Sequence, residues 1–241
     1  MRPVGVLGGM GPAATVLFQQ RVLAAVPAAD DADHVPLLID MNPQVPSRIA
    51  HILEGTGDDP GPVLAAMARR LERAGAAALA MPCNTAHHYA GAIRAASGVP
   101  LLDMVAMSVA RAHEVAASGA PIGVLGSPAL RRTGVFGPAL ERAGRAPVWP
   151  ADEDALLAAI RDVKAGRDPA AARAALAAAA RGLAADGAGA VLVACTEFSL
   201  HADAARGPAP LIDTLDVLAE ATAAFAQGAR ADDDPARRAA E

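Results

Sequence analysis

The stretch Pro3-Val4-Gly5-Val6-Leu7-Gly8-Gly9 is a short apolar run closed by glycines, and it returns as Pro121-Ile122-Gly123-Val124-Leu125-Gly126-Ser127. A continuous apolar run of this length, bounded by turn residues, suits a strand buried on both faces of a parallel sheet. Two further pairs repeat in the same order. Ala80-Met81-Pro82-Cys83-Asn84-Thr85 is matched by Val193-Ala194-Cys195-Thr196-Glu197, and Pro100-Leu101-Leu102-Asp103 by Pro210-Leu211-Ile212-Asp213. The members of each pair stand roughly 110–118 residues apart. One such match arises easily by chance; three in register point to two similar lobes facing each other across a cleft, where ligands usually sit.

Outward from these runs, brief apolar segments at 4–7, 35–39, 78–81, 122–125 and 191–194 predict strands. Ala-rich stretches at 13–26, 63–74 and 105–117 predict helices between them. Asp58-Asp59-Pro60 and Arg167-Asp168-Pro169 read as helix starts, with Asp near the N-cap and Pro in the first turn. This alternation is that of an α/β protein with parallel sheets. The expected architecture is two similar α/β lobes related by a pseudo-two-fold, with the active site in the cleft between them. Residues 1–104 form the first lobe and 105–207 the second. A C-terminal helix within about 208–227 returns to the first lobe, and the charged, Ala-rich residues 228–241 read as a frayed tail.

The chain of 241 residues is long enough for a substantial core, and much of its 53% hydrophobic content is Ala. Aromatic residues are only 2%, so platforms for stacking nucleobases are lacking, and a net charge of −5 argues against a polyanionic partner. A small anionic substrate remains compatible if a few local cations meet it. The N-terminal segment has no apolar h-region, and no stretch approaches the ~18 uninterrupted bulky apolar residues of a membrane span. The expectation is a cytoplasmic protein with no membrane or nucleic-acid partner, whose two cysteines are free thiols.

Both cysteines end an apolar strand and precede a polar residue that opens a helix, so both are expected at the cleft, beyond the carboxyl ends of the strands. The positive end of such a helix lowers a thiol pKa from its usual value near 8.5. A lone Cys is more often a small buried residue. Two in equivalent places of a repeat favour a functional pair. Racemisation takes a proton from one face of Cα and returns one to the other, which two groups on opposite lobes can do, thiolate abstracting and thiol donating. The loop Gly8-Gly9-Met10-Gly11-Pro12 offers backbone N–H groups to a carboxylate, or is only a tight strand–helix turn. Asn84, Thr85 and Thr196 are ligand contacts beside the thiols, or plain N-caps.

Taken together, Leu7-Gly8-Gly9-Met10-Gly11-Pro12-Ala13-Ala14-Thr15, Met41-Asn42-Pro43-Gln44-Val45-Pro46-Ser47-Arg48, Met81-Pro82-Cys83-Asn84-Thr85-Ala86-His87 and Ala194-Cys195-Thr196-Glu197-Phe198 resemble the motifs of the aspartate/glutamate racemase family. That resemblance implies two α/β lobes, no pyridoxal phosphate, no other cofactor and no metal, with Cys83 and Cys195 as the catalytic pair. It further implies that Asn84, Thr85 and Thr196 line the amino-acid backbone site, beside Met10, Gly11 and Ser127, and that Arg48 and Lys164 bind a side-chain carboxylate. As solvated surface charges, Arg48 and Lys164 would look the same. Members are often dimers; these Ala-rich helices suit a homodimer and a monomer equally.

There are departures from the pattern. Gly9-Met10 stands where the cell-wall glutamate racemases have Asp-Ser, Ser127 where Thr is common and Phe136 where Tyr is frequent. Other readings stay open: a maleate-type cis–trans isomerase, a binder of acidic metabolites, or a thiol redox sensor; a decarboxylase of malonate derivatives needs only one thiol, so two argue against it. His87 and His88 point in different directions and form no metal pair; His87 is expected on a helix surface. Glu197 either tunes Cys195 or stabilises a helix N-terminus.

Overall fold

A computed structural model describes residues 1–228; residues 229–241, the bulk of the segment read as a tail, lie outside it. In the first lobe β1 (Val4–Gly8), β2 (Leu37–Met41) and β3 (Ala78–Ala80) form a parallel sheet in the order β2-β1-β3, extended by a single parallel bridge from Leu79 to Leu101. Helices α1 (Pro12–Ala24), α2 (Gly61–Arg73), α3 (Ala90–Ala96) and α4 (Met104–Val115) lie between or after these strands. The second lobe builds β4 (Ile122–Gly126), β5 (Pro147–Val148), β6 (Ala190–Ala194) and β7 (Leu211–Asp213) into a parallel sheet of order β5-β4-β6-β7. Its helices are α5 (Pro128–Thr133), α6 (Gly137–Arg142), α7 (Glu153–Lys164), α8 (Pro169–Ala185) and the short α9 (Thr196–Ser199). Helix α10 (Thr214–Ala226) closes the described chain. With Leu101 in the place of β7, the two sheets share one strand order, so the sequence repeat is a repeat of topology.

Strands β1, β4 and β6 are buried at every position, because helices cover both faces of each sheet. Side chains alternate between those faces. Leu7 and Leu79 join the core with Leu64, Met67 and Leu71 of α2, while Val4, Val6, Ala78 and Ala80 point to the core holding Phe18 and Val22 of α1. Leu125, Val191 and Val193 likewise face α7 and α8, and Ile122, Val124 and Leu192 face α4. With so few aromatics, Phe18, Phe136 and Phe198 carry a large share of the fully buried volume; each contributes roughly 1.5–3 kcal/mol by burial.

The helices that follow the last strand of each sheet cross over. Leu215 and Leu218 of α10 pack with Phe18 and Val4, on the first lobe. Val105, Val109 and Ala112 of α4 pack with Val124 and Leu192, on the second. Asp103 and Asp213 open these two helices by accepting hydrogen bonds from Ala106 N (3.1 Å) and Leu215 N (3.0 Å).

Several boundaries differ from the sequence reading. Strand β2 runs 37–41 rather than 35–39, because Pro36 has no N–H for a ladder and instead accepts from Val4 N. Residues 211–213, grouped in sequence with the returning helix, pair with β6 and belong to the second sheet. Strand β5 was not expected, being only two residues that begin with Pro. At the predicted starts, Asp168 caps α8 through Ala170 N, whereas Asp59 accepts from Gly61 N ahead of α2, whose N-cap is Pro60.

Candidate active site

The first strand–helix connection sets the floor of the cleft. Gly9 has φ +93°, and a Cβ on it would stand 2.4 Å from the carbonyl carbon of Asn42, so only glycine lets segment 42–48 lie this close. Thr15 Oγ1 locks the turn by accepting from Gly9 N (3.0 Å) and donating to Gly11 O (3.1 Å). Segment 42–48 thereby carries Arg48 to the cleft, where its guanidinium donates to the carbonyls of Val45 (3.3 Å) and Pro46 (2.9 Å) and has no carboxylate partner among the described residues. Beyond it, the π-helical turn Ala50–Glu54 bridges to the second lobe: Glu54 pairs with Arg161 at 3.0 Å, and Arg132 donates to Leu53 O at 3.4 Å.

Between the lobes lies a cavity of about 800 Å³. Of the residues singled out in the sequence, it brings together Met10, Gly11, Arg48, Cys83, Thr85, Ser127, Lys164 and Cys195. Both thiols stand at the ends of equivalent strands, each 7% exposed and free of a disulfide. Asn84 and Thr196, each 1% exposed, are buried next to the thiols in sequence and are not part of the cavity lining. Asn84 Nδ2 donates to Thr214 Oγ1 (2.8 Å), which donates to Val193 O (2.9 Å), tying the first thiol's loop to α10 and β6. Its Oδ1 and the hydroxyl of Thr196 have no partner. Ser127 is the N-cap of α5, accepting from Ala129 N at 3.2 Å.

The surroundings of the two thiols differ. Cys195 Sγ donates to Glu197 Oε2 at 3.2 Å, and Glu197 Oε1 is ion-paired with Lys164 at the end of α7. Burial pushes the Cys195 thiol well above the ordinary cysteine range; Glu197 pushes it further, and Lys164 opposes. The lowering expected from a helix N-terminus does not prevail here, since α9 is four residues long and the carboxylate is closer. For Lys164, burial works against the ammonium, but Glu197 and both thiols outweigh it and raise its pKa. Sequence reasoning gave Glu197 two readings, tuning Cys195 or stabilising a helix N-terminus, and did not connect it with Lys164. The signal was present in the repeat, where Glu197 takes the place of Thr85 two residues after the cysteine.

His87, expected on a surface, is buried. It sits against Leu102 and Asp103 with its Nδ1–H donating to Cys83 O at 2.9 Å. Burial depresses its pKa, outweighing the nearby Asp103 carboxylate. Because the folded value lies below the ordinary one near 6.5, the unfolded chain takes up the proton first as pH falls. The stability His87 confers is thus present above about pH 6.5 and is lost as pH drops below it. Denaturant titrations of wild type and His87→Gln check this. Their stability difference should shrink between pH 7.5 and 5.5 by about 1 kcal/mol, and a constant difference would contradict the burial argument.

Among the described residues no three His, Cys, Asp or Glu side chains are grouped to hold a metal ion, and no helix is long and apolar enough to cross a membrane. The fold and cleft define a two-lobed α/β protein with one thiol from each lobe facing a shared cavity. A family model described as Asp/Glu/Hydantoin racemase matches residues 7–222, and the chain belongs to that family. It is an enzyme of the racemase class. An aspartate racemase from Picrophilus torridus is 26% identical with TM-score 0.82, the match covering 94% of this chain and 95% of that one. The broad specificity amino-acid racemase RacX of Bacillus subtilis (strain 168) is 27% identical over 166 residues, 66% of this chain and 70% of the relative. The glutamate racemase isoform RacE1 of Bacillus anthracis, 16% identical, shares the fold with TM-score 0.68 over 94% of this chain and 81% of its own.

Proposed function

We propose that the protein racemises an acidic amino acid, aspartate or glutamate, without a cofactor, by two-base proton transfer at Cα between Cys83 and Cys195. The observation that carries this reading is that the chain's two cysteines, at equivalent ends of two repeated sheets, line one cavity. A substrate held between them presents opposite faces of Cα to the two sulfurs. One thiolate removes the α-proton while the opposite thiol delivers its own, and the roles exchange for the mirror-image substrate. Arg48, with no carboxylate partner among the described residues, supplies a cation that meets a side-chain carboxylate. Lys164 offers a second cation, shared with Glu197. The backbone of Met10 and Gly11 and the side chains of Thr85 and Ser127 supply the polar wall. The aspartate racemase likeness, over nearly the whole of both chains, supports an acidic substrate.

The test is α-hydrogen exchange in D₂O, followed by NMR, with the D and L forms of Asp and Glu and with neutral amino acids in parallel. Deuterium should enter Cα of Asp or Glu with inversion. Absence of exchange with all four acidic substrates would overturn the assignment. Turnover of neutral amino acids alongside the acidic ones would match the broad specificity named for the Bacillus subtilis relative, and conversion of maleate would point to a diacid isomerase.

A further inference from the structure

The duplication is broken at one position inside the cavity. Two residues after Cys83 stands Thr85; two residues after Cys195 stands Glu197. Glu197 is 7% exposed, with one carboxylate oxygen 3.2 Å from Cys195 Sγ and the other paired with Lys164. Gly11 leaves room for this bridge, since a Cβ there would stand 3.3 Å from Glu197 Oε1 and 4.0 Å from Lys164 Nζ. Among the described residues, no carboxylate is hydrogen-bonded to Cys83 Sγ, and the position equivalent to Glu197 is Thr85.

We propose that Glu197, from its place between Lys164 and Cys195, is a positioning residue that makes the two thiols unequal: it holds Cys195 as the proton donor of the resting cleft and leaves Cys83 as the base. The inference rests on the two-thiol reading above. A thiol that donates to a carboxylate keeps its proton, because losing it sets two anions side by side in a buried site. The titratable groups facing Cys195 are Glu197 on its own helix and Lys164 from α7, and Lys164 also faces Cys83 across the cleft. Burial and Glu197 both raise the Cys195 thiol, against Lys164, in agreement with the geometry.

The proton count follows. In one direction Cys83 thiolate takes the α-proton and Cys195 thiol gives its own to the opposite face, leaving Cys83 as thiol and Cys195 as thiolate with total charge unchanged. Exchange with solvent restores the resting form. The mirror-image substrate needs the swapped form at the outset, which Glu197 disfavours. Its apparent affinity falls with the population of that form, and its kcat rises in proportion, since mirror-image substrates must share one kcat/KM.

The test is the pH dependence of iodoacetamide alkylation of Cys195 in the full-length Cys83→Ser protein, where it is the sole thiol. Mass spectrometry reads the rate, and circular dichroism checks that each variant is folded. Adding Glu197→Gln should move the alkylation midpoint down by at least about one pH unit, a roughly tenfold faster reaction at neutral pH. Adding Lys164→Met to the Cys83→Ser protein should move it up. The midpoint is read rather than the plateau rate, so altered access to the thiol does not mimic the effect. An unchanged midpoint in folded Glu197→Gln protein would overturn the proposal and leave racemisation standing. Failure of α-hydrogen exchange would overturn the racemase reading and leave the alkylation result untouched.

Discussion

Cys195→Ala should lower racemisation of the preferred substrate by about 10³-fold in kcat, and Cys83→Ala should do the same, with both proteins folded. On the proposed mechanism each variant lacks one of the two groups that inversion requires, so neither direction is spared. Deuterium wash-in separates the half-reactions. In Cys195→Ala, Cys83 still abstracts the α-proton of the enantiomer that faces it and returns deuterium to the same face. The product is labelled substrate of unchanged handedness, and the mirror-image substrate takes up none. Cys83→Ala should show the opposite preference at a slower rate, because Cys195 is buried, hydrogen-bonded to Glu197 and protonated at neutral pH. Either variant racemising within tenfold of wild type would remove the two-thiol mechanism. The alanine side chain leaves the cavity wall in place, as both cysteines are almost fully covered by the packed strand ends behind them.

Arg145→Met should cost about 2–4 kcal/mol of folding free energy, the largest stability loss anticipated for a charged residue outside the cleft. Arg145 follows α6 and is 8% exposed, a buried cation among the carbonyls at the C-terminal end of α4. Its guanidinium donates to Ala117 O (2.6 Å), Ala120 O (3.0 Å), His113 O (3.3 Å) and Ala116 O (3.4 Å), and its Nε to His113 Nδ1 (3.1 Å). His113 O and Ala116 O belong to the last turn and C-cap of α4, where the macrodipole also favours a cation, and Ala117 O and Ala120 O lie in the loop that follows. Methionine fills the volume but satisfies none of them. Arg145→Lys should recover only part of the loss, since an ammonium has three donors and no planar fork. Thermal denaturation of the methionine variant should fall by about 5–15 °C. KM at 25 °C should stay unchanged, because Arg145 precedes β5 and braces the strand ends remote from the cavity. A shift of less than about 2 °C would show that solvent satisfies these carbonyls instead.

Cys83 and Cys195 were legible as a pair because each sits at a strand end whose position the local apolar pattern marks, and because the repeat equates them. Met10, Gly11 and Thr85 followed from the same logic, being residues next along from a strand's carboxyl end, and Ser127 came with the family resemblance. Arg48 and Lys164 were named through resemblance. The structure adds what each touches: two backbone carbonyls for Arg48, and Glu197 for Lys164. Asn84 and Thr196 carry the right chemistry at the right sequence positions, and both are buried next to the thiols.

From the sequence alone came the parallel α/β class, the two-lobed repeat and the place of the thiols. Strand burial, turn glycines and helix starts are written in short runs of neighbouring residues, and the repeat reports on lobes hundreds of atoms apart without any need for their packing. Only the tertiary structure decided the pairing of Glu197 with Lys164, the burial of His87, the return of 211–213 to the second sheet and the anchoring of α4 by Arg145. Each joins side chains or strands distant in sequence, or depends on which way a helix faces. No local pattern encodes those distances; they arise when the lobes close and buried polar groups must find partners within hydrogen-bond reach.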